Sequence, residues 1–285
     1  MKKMTLIAAF IISGAAFSQN LKISEFHISS GSGNGGLQQG SIADFKVLAP
    51  SSTILTKDFS QFQTYGYPSF NSPGMYQSSS YSLQLGLQCA KMPKVTFRVG
   101  ISHIGNFGAL SAHGSFSETA AYDTLTSSQT GQQTFIDTTH TKSYDMTYSN
   151  QQIRLDGAMI FRMFPEKRWS LHAGLGASLG MSYRANTDIR YWEYSSGVGY
   201  YQGPGNNYNN YGSGTSESFK NKNSLGASLY IPMGVDFGIG KKRSFWMPFH
   251  LYLEARPSLN INSISGIGTN FSPGMNSALG LRIKI

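Results

Sequence analysis

The sequence has a single cysteine, Cys89, so no intrachain disulfide can form. It is also poor in charge: 13% of residues are charged, against about 25% in an ordinary soluble domain. That shortage argues against a surface that meets water on every side. The formal net charge of +9 is spread along the chain with no Lys/Arg-rich tract, so a nucleic-acid partner has no electrostatic footprint. His103, His113, His140 and His250 are scattered without metal-ligand spacing. "GVDFGIGKKRS" at Gly234–Ser244 faintly suggests a phosphate loop, but Val235 stands where the first glycine belongs. Neither cofactor nor metal is expected.

Long apolar runs are missing too. The one candidate is the start, "MKKMTLIAAFIISGAAFSQN", where Lys2 and Lys3 precede an apolar stretch from Leu6 to Ala16. A spanning helix needs roughly 20 such residues, and Ala16-Phe17-Ser18 is a small-x-small cleavage site. Residues 1–18 therefore read as a signal peptide and 19–285 as one exported domain.

What the chain has instead is a period of two. From Ser224 to Gly240, Leu225, Ala227, Leu229, Ile231, Met233, Val235, Phe237 and Ile239 alternate with small, polar or ring-constrained residues. Similar runs cover Leu21–Ser30, Tyr81–Cys89, Val95–Ser102, Ile153–Met163, Trp169–Tyr183, Phe249–Leu259 and Leu279–Ile285. That makes eight strands by the alternation test. Soluble strands usually have about 5–6 residues, whereas a strand that crosses a bilayer needs about 9–11.

Connections alternate in length. "AKMPK", "FPEKR" and "GKKRSF" are short, while residues of about 31–77, 105–146, 196–216 and 262–271 read as long loops. Even strand number, short turns at one end and long loops at the other predict a transmembrane barrel. The expected fold is all-β: an eight-stranded, antiparallel, up-and-down transmembrane β-barrel. In lipid every backbone N–H and C=O must pair within the protein, so such a sheet has to close. Phe164, Trp169, Phe245, Trp246 and Phe249 lie beside the short turns, where an interfacial girdle belongs. Tyr183, Tyr191 and Trp192 mark the other end.

On these runs and turns, the sequence resembles small eight-stranded outer-membrane barrels of the OmpX, OmpW and OmpA-transmembrane type. Within these it is similar to the outer-membrane β-barrel group of Gram-negative, Bacteroidetes-like envelopes. The resemblance covers the whole mature chain and implies residence in the outer membrane among its lipids and lipopolysaccharide. It also implies insertion by the outer-membrane assembly machinery. That group usually ends on an aromatic residue, whereas this chain ends on Ile285.

Alternation assigns Arg98, Arg154, Asp156, Arg162, His172, Asp236, Glu254, Arg256, Arg282 and Lys284 to the barrel interior. Eight strands enclose a space just wide enough for side chains, so these charges are expected to pair and fill the lumen. Leu229, Ile231, Met233 and Val235 should face lipid, with Tyr230 and Asp236 inward. Cys89 should face lipid as a small hydrophobe. His27 and Ser29 resemble the His-x-Ser pair of barrel lipid A deacylases, but Phe26 and Ile28 take the apolar face and turn the pair inward.

"SIADFKVLAPSSTILTKDFSQF" at Ser41–Phe62 is unusually apolar for a loop and suits a short helix or a cap on the barrel mouth. "YYQGPGNNYNNYGSG", with Tyr200, Tyr201, Tyr208 and Tyr211, suits an adaptable contact surface. The function these features favour is a non-catalytic structural or interaction protein that meets an envelope or surface partner through its loops. A narrow passage for small or hydrophobic solutes is the alternative, and a lipid A-modifying enzyme the more distant one.

Overall fold

The computed structural model describes residues 21–64, 75–90, 92–198, 212–240 and 245–285. Residues 1–18, read from the sequence as a signal peptide, Tyr200, Tyr201, Tyr208, Tyr211 and the basic turn residues Lys91, Lys241, Lys242 and Arg243 lie outside them.

The described residues contain twelve strands. β1 (Leu21–Gly36) leads to two-residue β2 (Gln38–Gln39), helix α1 (Ile42–Leu48), a 3-10 turn (Ile54–Thr56) and two-residue β3 (Gln63–Thr64). Then come β4 (Met75–Cys89), β5 (Val95–Thr126), β6 (Gln133–Met163), β7 (Trp169–Val198), β8 (Gly212–Lys220), β9 (Leu225–Tyr230), β10 (Met233–Gly238), β11 (Phe249–Ile264) and β12 (Gly268–Lys284).

Ten of these strands occupy eight places in a ring, with β2 and β3 off it beside β5. β1 pairs β4, β4 pairs β5, β5 pairs β6 and β6 pairs β7, all antiparallel. β8, β9 and β10 follow one another along β7, and β9 and β10 also pair β11. β11 pairs β12, and β12 returns to β1 from Glu25↔Lys284 to Gly35↔Gly274. The ring is closed, with each strand beside its neighbours in sequence: an up-and-down barrel.

The run Ser224–Gly240 is not one continuous strand. Pro232 has no N–H to give the ladder, so pairing lapses at Ile231–Pro232 between β9 and β10. The backbone there is still bridged: Ile231 N–H donates to Pro257 C=O (3.0 Å), and Pro232 C=O accepts from Gly174 N–H (2.8 Å).

The strands reach further than the alternating runs. β5 has 32 residues and β6 has 31, about three times what a bilayer requires. Most of 105–146, expected as a loop, is therefore a paired hairpin whose chain reverses between Thr126 and Gln133. Likewise β1 extends into 31–77, and 262–271 shrinks to a tight turn in which Gly266 takes φ +85°, a left-handed value that favours glycine.

Around the ring the exterior is apolar. Leu83, Ile101, Leu155, Leu175, Leu179, Leu253 and Leu279 are all exposed, as are Leu229, Ile231, Met233 and Val235, while Tyr230 and Asp236 are buried. Soluble proteins rarely expose apolar patches beyond a few hundred Å², and this band encircles the molecule. It belongs in lipid. Phe245, Trp246 and Phe249 cluster with ring centroids 5.3–5.7 Å apart at the turn end, beside the pair Trp169–Phe237 at 4.5 Å. At the other rim Tyr183 joins His103 (2.9 Å) and Gln151 (2.6 Å).

Two exterior assignments change. Cys89 is buried, where the turn folds back and Met92 N–H donates to its carbonyl (2.9 Å). Tyr191 is buried as well and belongs to no lipid belt. The cause is a bulge: Gln151 pairs Arg184 while Gln152 pairs Ser182, so β7 has an extra residue at Tyr183. A bulge of one residue turns every later side chain to the opposite face. Leu179 and Met181 are exposed, but Ala185, Ile189 and Tyr191 point inward.

Candidate functional site: a filled lumen and its plugged mouth

Nearest the turn end, the inward positions form an ionic tier. Glu25 accepts from Arg162 Nη1 (2.7 Å), Arg282 Nη1 (2.6 Å) and, through its other oxygen, contacts His27 Nε2 (3.0 Å). Arg282 Nη2 also donates to Asp236 (2.8 Å), which meets His250 Nδ1 at 2.7 Å. Glu254 accepts from Arg98 Nη2 (2.7 Å) and Arg256 Nε (2.5 Å) and meets His172 Nε2 at 2.8 Å. The three carboxylates of this tier each take more than one partner, as burial of charge demands.

Of the interior charges read from sequence, the tier brings together Arg98, Arg162, His172, Asp236, Glu254, Arg256 and Arg282. It does not bring in Arg154 and Asp156. Asp156 accepts from Gln84 Nε2 (2.9 Å) and Tyr230 Oη and has no ion pair among the described residues. Arg154 donates to Gln152 Oε1 (2.7 Å), and its Cζ lies 5.2 Å from the Phe107 ring centre. Lys284 is only partly buried and donates to Pro165 C=O (3.2 Å).

Glu25 and His250 are the members the sequence reading left out, and His27, read as inward, was not assigned a partner among the charges. Glu25 shares the parity of His27 and Ser29, so alternation could have placed it, although a register shift between Ile23 and Glu25 interrupts the pattern just there. His27 and Ser29 are inward but unpaired with each other: Ser29 Oγ meets Ser82 Oγ at 2.6 Å, and His27 meets Glu25. Inward glycines make room for the large rings. A Cβ on Gly176 would come within 2.2 Å of Tyr230, and one on Gly280 within 2.3 Å of Tyr252.

Further up, an amide tier follows. Gln152 Nε2 donates to Asn150 Oδ1 (2.7 Å) and Asn262 Oδ1 (3.0 Å). Above it the interior turns apolar, and the mouth is plugged by Ser41–Phe62. The capping box that starts α1 is complete: Asp44 N–H donates to Ser41 Oγ (3.2 Å) and Ser41 N–H to Asp44 Oδ2 (2.8 Å). Phe45, Leu48, Ile54, Leu55 and Phe59 are buried against Phe107, Tyr144, Met146, Tyr148, Ile189 and Tyr191 of the barrel wall.

β5 flanks both ends of the plug, pairing with β2 at Leu110–Ser111 and with β3 at Gly114–Ser115. From β8, Glu217 accepts Ser52 Oγ (2.5 Å), Thr53 N–H (3.1 Å) and Thr53 Oγ1. Partial burial works to raise the Glu217 carboxyl, but these bonds from Ser52 and Thr53 outweigh it and hold the pKa below its ordinary value.

A closed antiparallel ring of eight places, an apolar belt with aromatic rims and an ion-paired interior together define a small outer-membrane β-barrel protein. Among solved structures, Neisserial surface protein A aligns over 93% of this chain and 99% of its own, at 10% identity and a TM-score of 0.37. Ail, the attachment invasion locus protein of Yersinia pestis, aligns over 92% and 100%, at 12% identity and a TM-score of 0.29. No protein-family model matches the chain, and no curated protein matches it in sequence.

Proposed function

We propose that this protein is a closed outer-membrane barrel that acts through what it holds above the membrane, as a structural or interaction protein without catalysis of its own. The observation that carries this reading is the double obstruction of the lumen. An ionic tier fills the turn end and a docked hydrophobic plug fills the mouth, so the barrel serves as an anchor. The β5–β6 hairpin, β7 and β8 then project a paired sheet beyond the lipid band, where an envelope or surface component can meet it. The Tyr-rich sequence between β7 and β8, with Tyr200, Tyr201, Tyr208 and Tyr211, has a composition suited to such contact. With this orientation the short turns and both chain ends of the ring face the periplasm.

The passage alternative would require the plug to leave and the ionic tier to open. A deacylase reading would require Ser29 to pair with His27 at a lipid-facing position. Cross-linking in native outer membranes tests the proposal. A photo-cross-linker at Thr119, on the exposed part of the hairpin, should capture a discrete envelope partner. With the probe kept at Thr119, replacing residues 120–138 by a short turn should abolish that capture while leaving a folded barrel. Equal capture by a probe placed on the lipid-facing Leu155 would count against a role for the projecting sheet.

A further inference from the structure

We propose that a chamber in the middle of the lumen is a binding site for one small inorganic anion of halide size, held by Arg154 and Arg256. The argument begins with charge. Among the described residues, the buried arginines and carboxylates are Arg98, Arg154, Arg162, Arg256 and Arg282 against Glu25, Asp156, Asp236 and Glu254: five cations and four carboxylates. Arg98 and Arg256 share Glu254, and Arg162 and Arg282 share Glu25, with Asp236 also on Arg282. Asp156 pairs with none of them, and Arg154 is the cation with no carboxylate in contact. It is 1% exposed, makes no ion pair among the described residues, and its Nη2 has no hydrogen-bond partner. Asp156 acts on this guanidinium only at a distance, and a buried guanidinium with no carboxylate in contact is costly.

The second observation is space. Between the ionic and amide tiers lies a cavity of about 60 Å³ lined by both Arg154 and Arg256, and Nη2 of Arg256 is unpartnered too. Much of the remaining wall is hydroxyl and amide, from Ser82, Ser102, Ser178, Ser228 and Asn276. Hydroxyls rotate to donate, so this wall can turn protons towards an anion between the two guanidinium groups. A single water needs roughly 10–15 Å³ of accessible space, so the chamber admits a halide together with a few waters. Asp156 also lines the cavity and keeps its charge, since Gln84 and Tyr230 are neutral donors, but with Glu254 shared by Arg98 and Arg256 one buried cation is still in excess. One bound anion brings the buried charge to five against five.

The test uses the whole folded protein in detergent micelles, in sodium bromide or sodium gluconate of equal ionic strength; gluconate is too large to enter. Crystals grown in bromide should show one anomalous peak beside Arg154 and Arg256. Bromide should also slow unfolding in urea in proportion to one plus its concentration over the dissociation constant, by about tenfold at about ten times that constant. Ser178 Oγ lies 3.5 Å from Arg154 Nη1, so Ser178→Asp places a carboxylate where the anion would sit. This variant should unfold at the same rate in both salts. A bromide map without a peak in the chamber would overturn the proposal, whether or not the variant folds. Unfolding rates in wild type that do not depend on the anion, or a bromide effect that persists in Ser178→Asp, would also overturn it.

Discussion

The lower and upper halves of this barrel are built from the same strands with opposite polarity. Along β6, Ile153, Leu155 and Met159 face outward while Gln152, Arg154 and Asp156 face in. A few residues earlier on that strand, Tyr144, Met146 and Tyr148 fill the interior. No bulge separates the two stretches on β6. The inward positions keep their parity, and only their chemistry changes. The surroundings account for the switch. Where lipid covers the outside, apolar side chains belong there, and the interior is left to hydrogen bonds and ion pairs. Where water covers the outside, the ordinary arrangement returns, and an apolar plug can be buried. The change falls near the Tyr183–His103–Gln151 contact, which marks the upper edge of the lipid belt.

Four substitutions probe the two halves against each other, the largest effect first. Glu254→Gln leaves Arg98 and Arg256 without their shared carboxylate, and breaking a buried pair costs about 3–5 kcal/mol. Urea unfolding of the folded barrel should show that loss, while Asp137→Asn on the exposed hairpin should change little. Comparable shifts for the two would mean that the lower interior is wetter than its packing implies.

In the upper half, Phe45→Ala removes the fully buried ring of the plug, and truncations of this kind cost roughly 3–5 kcal/mol, the low end applying where the site can relax. The loss should be confined to docking of Ser41–Phe62. Amide exchange there, at Phe45 and Ala49 for instance, should accelerate while the β6–β7 ladder around Leu155 stays protected. Simultaneous loss of protection in both would show that plug and ladder unfold as one unit.

On the exterior, Ile231→Arg puts a charge on the lipid face and should cost about 2–4 kcal/mol at mid-membrane depth. The yield of heat-modifiable folded barrel should fall well below that of Ser213→Arg. Equal yields would refute the assigned face.

The smallest effect concerns Glu217. Its folded pKa lies below the ordinary value of 4.5, so it stabilises plug docking fully above that value. The contribution is lost as pH falls through the lower folded value. Glu217→Gln should weaken docking by about 1–2 kcal/mol near neutral pH, since bonds to a charged group exceed neutral ones, and should flatten the acid dependence of exchange in α1. An unchanged acid profile in the variant would assign that dependence to another group.

How much of this was legible in the sequence depends on which half is considered. The lipid belt could be read directly, because eight runs with apolar residues at every second position admit few other folds. Most of the ionic tier followed from parity alone. Beyond the belt, parity misled. On β7 the odd positions stay largely apolar from Trp169 to Tyr191, but the bulge at Tyr183 carries them from outside to inside, so Tyr191 was placed in a belt it does not join. On β6 the apolar phase reverses at Asn150, and a test for one continuous phase stops there, which is why 105–146 read as a loop. Pairing partners were the least legible. Parity placed Arg154 and Asp156 inward, but it could not show that Asp156 bonds to Gln84 and Tyr230 instead of an arginine.

The measurement that bears most directly on the closed lumen is steady conductance of the purified barrel in planar bilayers. With the ionic tier and the plug both in place, current should stay near the baseline of the bare membrane. Stable open channels of porin size in the wild-type protein would contradict the closed lumen and put the passage reading first.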